Sequence, residues 1–179
     1  LNLQKGDRVA AYVPNKIETI VCFLACAKNG IIWSSCSPDF GAQGVVDRFK
    51  QIEPKVFITC DYYYYNGKKI NILDKVEEIL KQIPSIKKVI AFNYNKQERE
   101  SLKNFINFEE TLKNDLDEVF ERFEFNHPIY ILFSSGTTGK PKCITHGSGN
   151  VLIEHNKEFM LHCDIRENEK LFYYTTTGW

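Results

Sequence analysis

Short apolar runs of strand length recur along this chain, and between them lie segments whose apolar residues repeat at helical spacing. Residues 7–13 (DRVAAYV) read as a strand stopped by Pro14-Asn15. Asn15 is placed to cap the next helix, with Glu18 three residues on to complete a capping box. Ile17, Ile20, Val21, Leu24 and Ala25 then recur at helical spacing, and Asn29-Gly30 supplies a stop that tolerates left-handed backbone. Residues 31–36 form a second strand, 45–52 a helix ended by Pro54, and 55–60 (KVFITC) a third strand. Leu73, Val76, Ile79, Leu80 and Ile83 make another amphipathic stripe, closed by Pro84, before a strand at 88–92. Strands that alternate with helices bury both faces only as a parallel sheet between helices. The expected class is therefore α/β, a layered, parallel-rich sheet with covering helices.

Residues 93–127 break the pattern: they are polar and charge-rich, and read as a surface excursion with one helix near 108–112. With 179 residues, 43% hydrophobic, the chain supports one core. Lys plus Arg and Asp plus Glu balance at 23 each, so no net field favours nucleic acid. The six cysteines lie singly, without metal-ligand spacing, and read as free, mostly buried thiols in a reducing, cytoplasmic setting. The longest apolar run, 17–27, contains Glu18 and is too short for membrane insertion across a core of about 30 Å. The chain opens on Leu1 and stops at Trp179 directly after a strand-like run at 172–177, so both ends read as cuts within a longer protein.

Residues 129–133 are a near-continuous apolar strand, and they run straight into SSGTTGKPK, residues 134–142. An unbroken series of hydroxyl and glycine positions gathers O–H and backbone N–H donors on one turn that a phosphate can approach closely. The same residue types also build ordinary surface hairpins. A P-loop of the NTPase kind is excluded, because its second glycine would fall on Pro141. Pro141 also discourages a helix there, and residues 143–146 read as a strand, so the device is strand, loop, strand, with Lys142 as its cation.

SSGTTGKPK resembles the phosphate-binding signature of the acyl-adenylate-forming enzymes, with Cys143 where many members carry Gly. Further segments are similar to the acetoacetyl-CoA synthetase family: WSSCSPDFG at 33–41, RF-x-QIEPKV at 48–56, YNGK at 65–68, His146-Gly147 and TTTGW at 175–179. The resemblance covers nearly the whole chain and is weakest over residues 93–126. It implies a partial AMP-binding (adenylation) domain spanning 1–179, the incomplete N-terminal portion of such an enzyme, with the C-terminal part of that domain and a small lid domain outside it. The implied activity is ATP-dependent conversion of acetoacetate and CoA to acetoacetyl-CoA, AMP and pyrophosphate. ATP, CoA and Mg²⁺ would take part, with the Mg²⁺ ligands outside this segment.

The resemblance also implies site residues. Ser134, Ser135, Gly136, Thr137, Thr138 and Gly139 would cradle the ATP phosphates, with Lys142 as charge clamp and Thr137, a phosphate donor, as the catalytic pair. Lys140 reads as a solvated lysine. His146 serves either the phosphate site or the support of its strand. Gly178 and Trp179 either begin an acyl-binding wall or pack the core. Lys68 and Lys69 either meet the 3′-phosphate of CoA or are solvated charges on a Gly turn, and Tyr62 to Tyr65 suit an adenine stack or an edge strand equally. An acetyl- or propionyl-CoA synthetase and a non-catalytic nucleotide-binding module remain the competing readings.

Overall fold

The computed structural model describes residues 1–97, 104–112, 120–135 and 139–178. Strands β1 (Arg8–Tyr12), β2 (Ile32–Cys36), β3 (Val56–Cys60) and β6 (Lys88–Phe92) alternate with helices α1 (Ile17–Lys28), α2 (Ala42–Ile52) and α3 (Leu73–Gln82). A hairpin of β4 (Tyr62–Tyr65) and β5 (Lys68–Asn71) is inserted before α3. Then follow β7 (Ile106–Asn107), α4 (Phe108–Thr111), β8 (Pro128–Ser134), β9 (Lys142–Gly147), α5 (Ser148–Lys157) and a π-helical turn, Glu158–His162. The main sheet has the order β7-β6-β3-β1-β2-β8-β9, parallel throughout except for the antiparallel β8–β9 pair.

The central strands are buried on both faces, which is why they read as continuous apolar runs rather than alternating ones. Tyr12, Val45, Phe49, Phe57, Val76 and Ile79 are wholly enclosed, so the core lies between β1, β3 and the inner faces of α2 and α3. Where the β2–β8 ladder is short, the Ser34 hydroxyl donates to the Ile131 carbonyl at 2.7 Å and ties the two strands together.

Helix α1 departs from the sequence expectation twice. Lys16, not Asn15, is its N-cap, and no side chain caps it; the Asn15 amide is engaged with residues 175–177 instead. Its apolar stripe also faces outward. Ile17 is 79% and Leu24 57% exposed, while Glu18, Thr19, Cys22 and Cys26 turn inward. Helical spacing reports that a face exists, not which side of the helix the described residues cover.

Tyr62 to Tyr65 do form a strand, paired with β5 in a sheet of its own, and the turn is Asn66-Gly67, both at positive φ. That is the backbone of a tight hairpin turn, where Asn-Gly is the favoured pair. The strand expected at 172–177 is absent: residues 171–176 have no regular structure. Both edges of β1 and β2 are already paired, so this segment crosses their carboxyl ends and bonds to side chains there. Helix α5 was not foreseen, since none of its residues is buried and no apolar period marks it.

Candidate functional site

Parallel strands present their carboxyl ends along one edge of a sheet, where α/β folds place their ligands. Here that edge carries the turn after β1, the 37–41 turn after β2, the hairpin after β3 and the Ser/Gly/Thr loop after β8.

The loop is held at its base. Ser134, the last residue of β8, pairs with Lys142, the first of β9, and Phe133 pairs with Cys143. On the return side Gln51 of α2 donates from Nε2 to the Pro141 carbonyl at 2.9 Å, and the Cys143 thiol lies 3.6 Å from Gln51 Oε1. Gly139 has φ of 149°, which a side-chain-bearing residue rarely adopts. Ser135, Gly139, Lys140 and Lys142 are exposed. The expected donors Gly136, Thr137 and Thr138 lie outside the described residues, as does Trp179. The strand, loop, strand reading of this region is correct, and what the described part offers is a solvent-facing cation with hydroxyl and backbone donors.

His146 sits on β9 with its ring 4.9 Å from that of Tyr130 across the ladder. This contact supports the strand. Lys68 and Lys69 project from β5 and are exposed, but they are not equivalent: the Lys69 ammonium lies 3.9 Å from the centre of the Tyr62 ring. Tyr62, Tyr64 and Tyr94 pack mutually at 5.2–5.7 Å between centroids, so the tyrosine run is in part a structural cluster.

Above the ends of β1 and β2 lies a segment from the far end of the chain. Asn15 Nδ2 donates to the Thr175 carbonyl at 2.7 Å, and Asn15 Oδ1 accepts from the Thr177 N–H at 3.0 Å. The Ser35 hydroxyl donates to the Thr177 carbonyl and itself accepts from Trp33 Nε1 at 3.0 Å. A Cβ on Gly178 would stand 2.9 Å from the Ser37 nitrogen and 3.1 Å from Cys36 Cα, so glycine is required for this approach. Beneath it the Tyr12 hydroxyl lies 2.8 and 2.7 Å from the Pro38 and Phe40 carbonyls, fixing the turn after β2. Burial holds that phenol well above its usual range, so it stays a neutral donor. The sequence does not reveal these partners of residues 175–177, because Asn15 carries the signal of a helix cap and Ser35 that of a buried strand.

A cavity of about 550 Å³ opens elsewhere, near β6 and β7, with Glu18, Asn93, Lys96 and Glu109 in its wall. Lys96 lies 2.8 Å from Glu109 and 3.8 Å from Glu18, which leaves an acidic surround unsuited to phosphates. No helix among the described residues is long and apolar enough to cross a membrane.

The AMP-binding enzyme family matches residues 1–177. The chain belongs to that family. An acetoacetyl-coenzyme A synthetase from Rhizobium meliloti (strain 1021) is 49% identical over 180 residues, covering 97% of this chain, and the acetoacetyl-CoA synthetase of Gallus gallus is 42% identical over 188 residues, covering all of it. In three dimensions the AMP-binding chain superposes on acetoacetyl-CoA synthetase from Streptomyces lividans with a TM-score of 0.93 at 41% identity over 99% of its length. It spans only 27% to 28% of each of these proteins.

Proposed function

We propose that this chain is part of the adenylation domain of an acetoacetyl-CoA synthetase, an AMP-forming acid–thiol ligase acting in the cytoplasm. The observation that carries the reading is likeness to such enzymes along the whole chain, together with SSGTTGKPK on a braced hairpin at the ligand-bearing edge of the sheet. The remainder of the domain and a small lid domain would belong to the longer protein, which completes the active site.

In this reaction an oxygen of the acetoacetate carboxylate bonds to the α-phosphorus of ATP, and the bond from that phosphorus to the pyrophosphate oxygen breaks. The CoA thiolate then attacks the acyl carbon, and AMP leaves. Charge accumulates on the departing pyrophosphate, so donors already aimed at its oxygens lower the barrier. We assign that work to Ser134, Ser135, Gly136, Thr137, Thr138, Gly139 and the Lys142 ammonium. Each charge-assisted hydrogen bond contributes about 1.5–3 kcal/mol, and ~1.4 kcal/mol is tenfold in rate. Lys68 and Lys69 are assigned to CoA, and Gly178 with Trp179 to the acyl pocket. The likeness to such enzymes also carries the Mg²⁺ of the reaction, which we assign to groups outside this segment.

ATP–pyrophosphate exchange by the full-length protein tests this reading. Exchange is expected to depend on acetoacetate in preference to acetate and propionate. Preference for a shorter acid would make it a different synthetase, and no exchange with any acid would leave a nucleotide-binding module.

A further inference from the structure

We propose that Asn15 and Ser35 are positioning residues that latch the main chain at 175–178 over the carboxyl ends of β1 and β2, and so set acid selectivity. The proposal rests on the acyl-pocket reading of Gly178 and Trp179.

Four contacts make the latch, and all join positions more than 140 residues apart. The Asn15 amide uses its donor on the Thr175 carbonyl and its acceptor on the Thr177 N–H. The Thr177 hydroxyl donates to the Val13 carbonyl at 3.4 Å, and the Ser35 hydroxyl donates to the Thr177 carbonyl. Because the Trp33 indole N–H donates to Ser35 Oγ, the serine's own hydrogen is directed toward Thr177. Both main-chain polar groups of Thr177 are therefore satisfied by side chains, in a segment without strand or helix. Nothing in the regular structure would fix it otherwise.

The latch reaches Gly178, the first residue of the proposed acyl pocket. It presses Gly178 against the backbone of Cys36 and Ser37, where no Cβ fits. The height of the wall above the sheet edge is thus fixed by the length of one asparagine side chain and one serine. A shift of this main chain by an ångström changes the depth of a small acyl pocket by a large fraction, and positioning at that scale governs which acid meets the α-phosphate.

The test uses Asn15→Ala and Ser35→Ala in the full-length protein, with two readouts. Amide hydrogen exchange should show Thr177 losing protection by about tenfold in either variant, since each removes one or two hydrogen bonds. Pyrophosphate exchange should show KM for acetoacetate rising by about tenfold, KM for ATP unchanged, and the preference for acetoacetate over propionate falling by a similar factor. A merely structural role would lower the active fraction without moving that preference. Unchanged protection of Thr177 overturns the latch, whatever acid the enzyme uses. Lost protection with unchanged acid preference overturns its role in selectivity. A wild-type protein that activates no acid sinks the synthetase reading separately and, with it, the selectivity role, while amide exchange still decides the latch. Ser35→Ala keeps the proposal testable if Asn15→Ala fails to fold.

Discussion

Lys142 pairs directly with Ser134 across the β8–β9 ladder, so the cation and the first hydroxyl of the loop start from one rigid rung. Preorganisation follows from that pairing. Lys142 is carried on a strand, so in the proposed phosphate site its ammonium would start from a fixed base.

Replacing Lys142 by Ala should therefore separate catalysis from stability. The side chain is exposed and buries nothing, so the thermal midpoint should shift by the equivalent of no more than about 0.5 kcal/mol. Pyrophosphate exchange in the full-length protein should fall by roughly 10- to 150-fold, the loss of one charge-assisted hydrogen bond. Thr137→Val should act in the same direction. Equal exchange rates in wild type and Lys142→Ala would reduce the loop to a turn.

The two lysines of β5 make unequal predictions. Lys69 is held over the Tyr62 ring, whereas Lys68 stands at the end of the hairpin beside Tyr65, which is 59% exposed. Lys68→Ala should raise the apparent KM for CoA several-fold and leave acetoacetate-dependent pyrophosphate exchange unchanged. Lys69→Ala should do the same and also loosen the tyrosine cluster, read as a lower melting temperature. CoA dependence that stays constant in both variants would return them to the solvent.

Much of this architecture was legible in the sequence because its strands are short, mostly apolar runs: β1, β2 and β3 are buried along nearly their whole length, and β6 and the half-buried β8 keep the same composition. So did SSGTTGKPK, whose Pro141 dictated a strand rather than a helix after the loop. What escaped detection depends on contacts distant in the chain. Asn15 has the chemistry of a helix cap, and only the arrival of Thr177 over 160 residues later gives it a better partner. The run at 172–177 has strand composition, but β1 and β2 have no free edge for it. The stripe on α1 was seen correctly, yet its direction is set by what packs beside it, which no periodicity encodes.

Asp7 offers a pH-dependent probe of the amino-terminal turn. Burial pushes its carboxyl upward, but the Gln4 N–H at 2.8 Å and the Lys55 ammonium at 2.8 Å outweigh that and hold it below its ordinary value. A carboxyl depressed in the folded state adds stability above its unfolded pKa, about 3.9, and loses it as pH falls through the folded value. Asp7→Asn should thus be less stable than wild type at pH 7, with the gap closing below about pH 4 in chemical-denaturation curves. A gap independent of pH would show that shape, not charge, makes the contact.

The last prediction concerns exposed apolar surface on the 179-residue chain taken alone. Ile17, Ile20, Val21 and Leu24 line the outer face of α1, and Leu171, Phe172, Tyr173 and Tyr174 stand out from the segment that leads into the latch, Phe172 at 85% and Tyr174 at 90% exposed. Soluble monomers rarely leave contiguous patches beyond a few hundred Å² uncovered. This chain by itself should bind a hydrophobic dye in its folded state and self-associate at micromolar concentration. Because Leu24 points away from the core, Leu24→Lys should lower dye binding and association while leaving helical content and the denaturation midpoint nearly unchanged. The opposite result, a folded chain with no dye signal or a Leu24→Lys variant that loses its helix, would place that stripe inside the core and reverse the orientation of α1 described above. The same 179 residues should form no acetoacetyl-CoA on their own, since the phosphate loop would hold one end of ATP with nothing to orient the carboxylate against the α-phosphate.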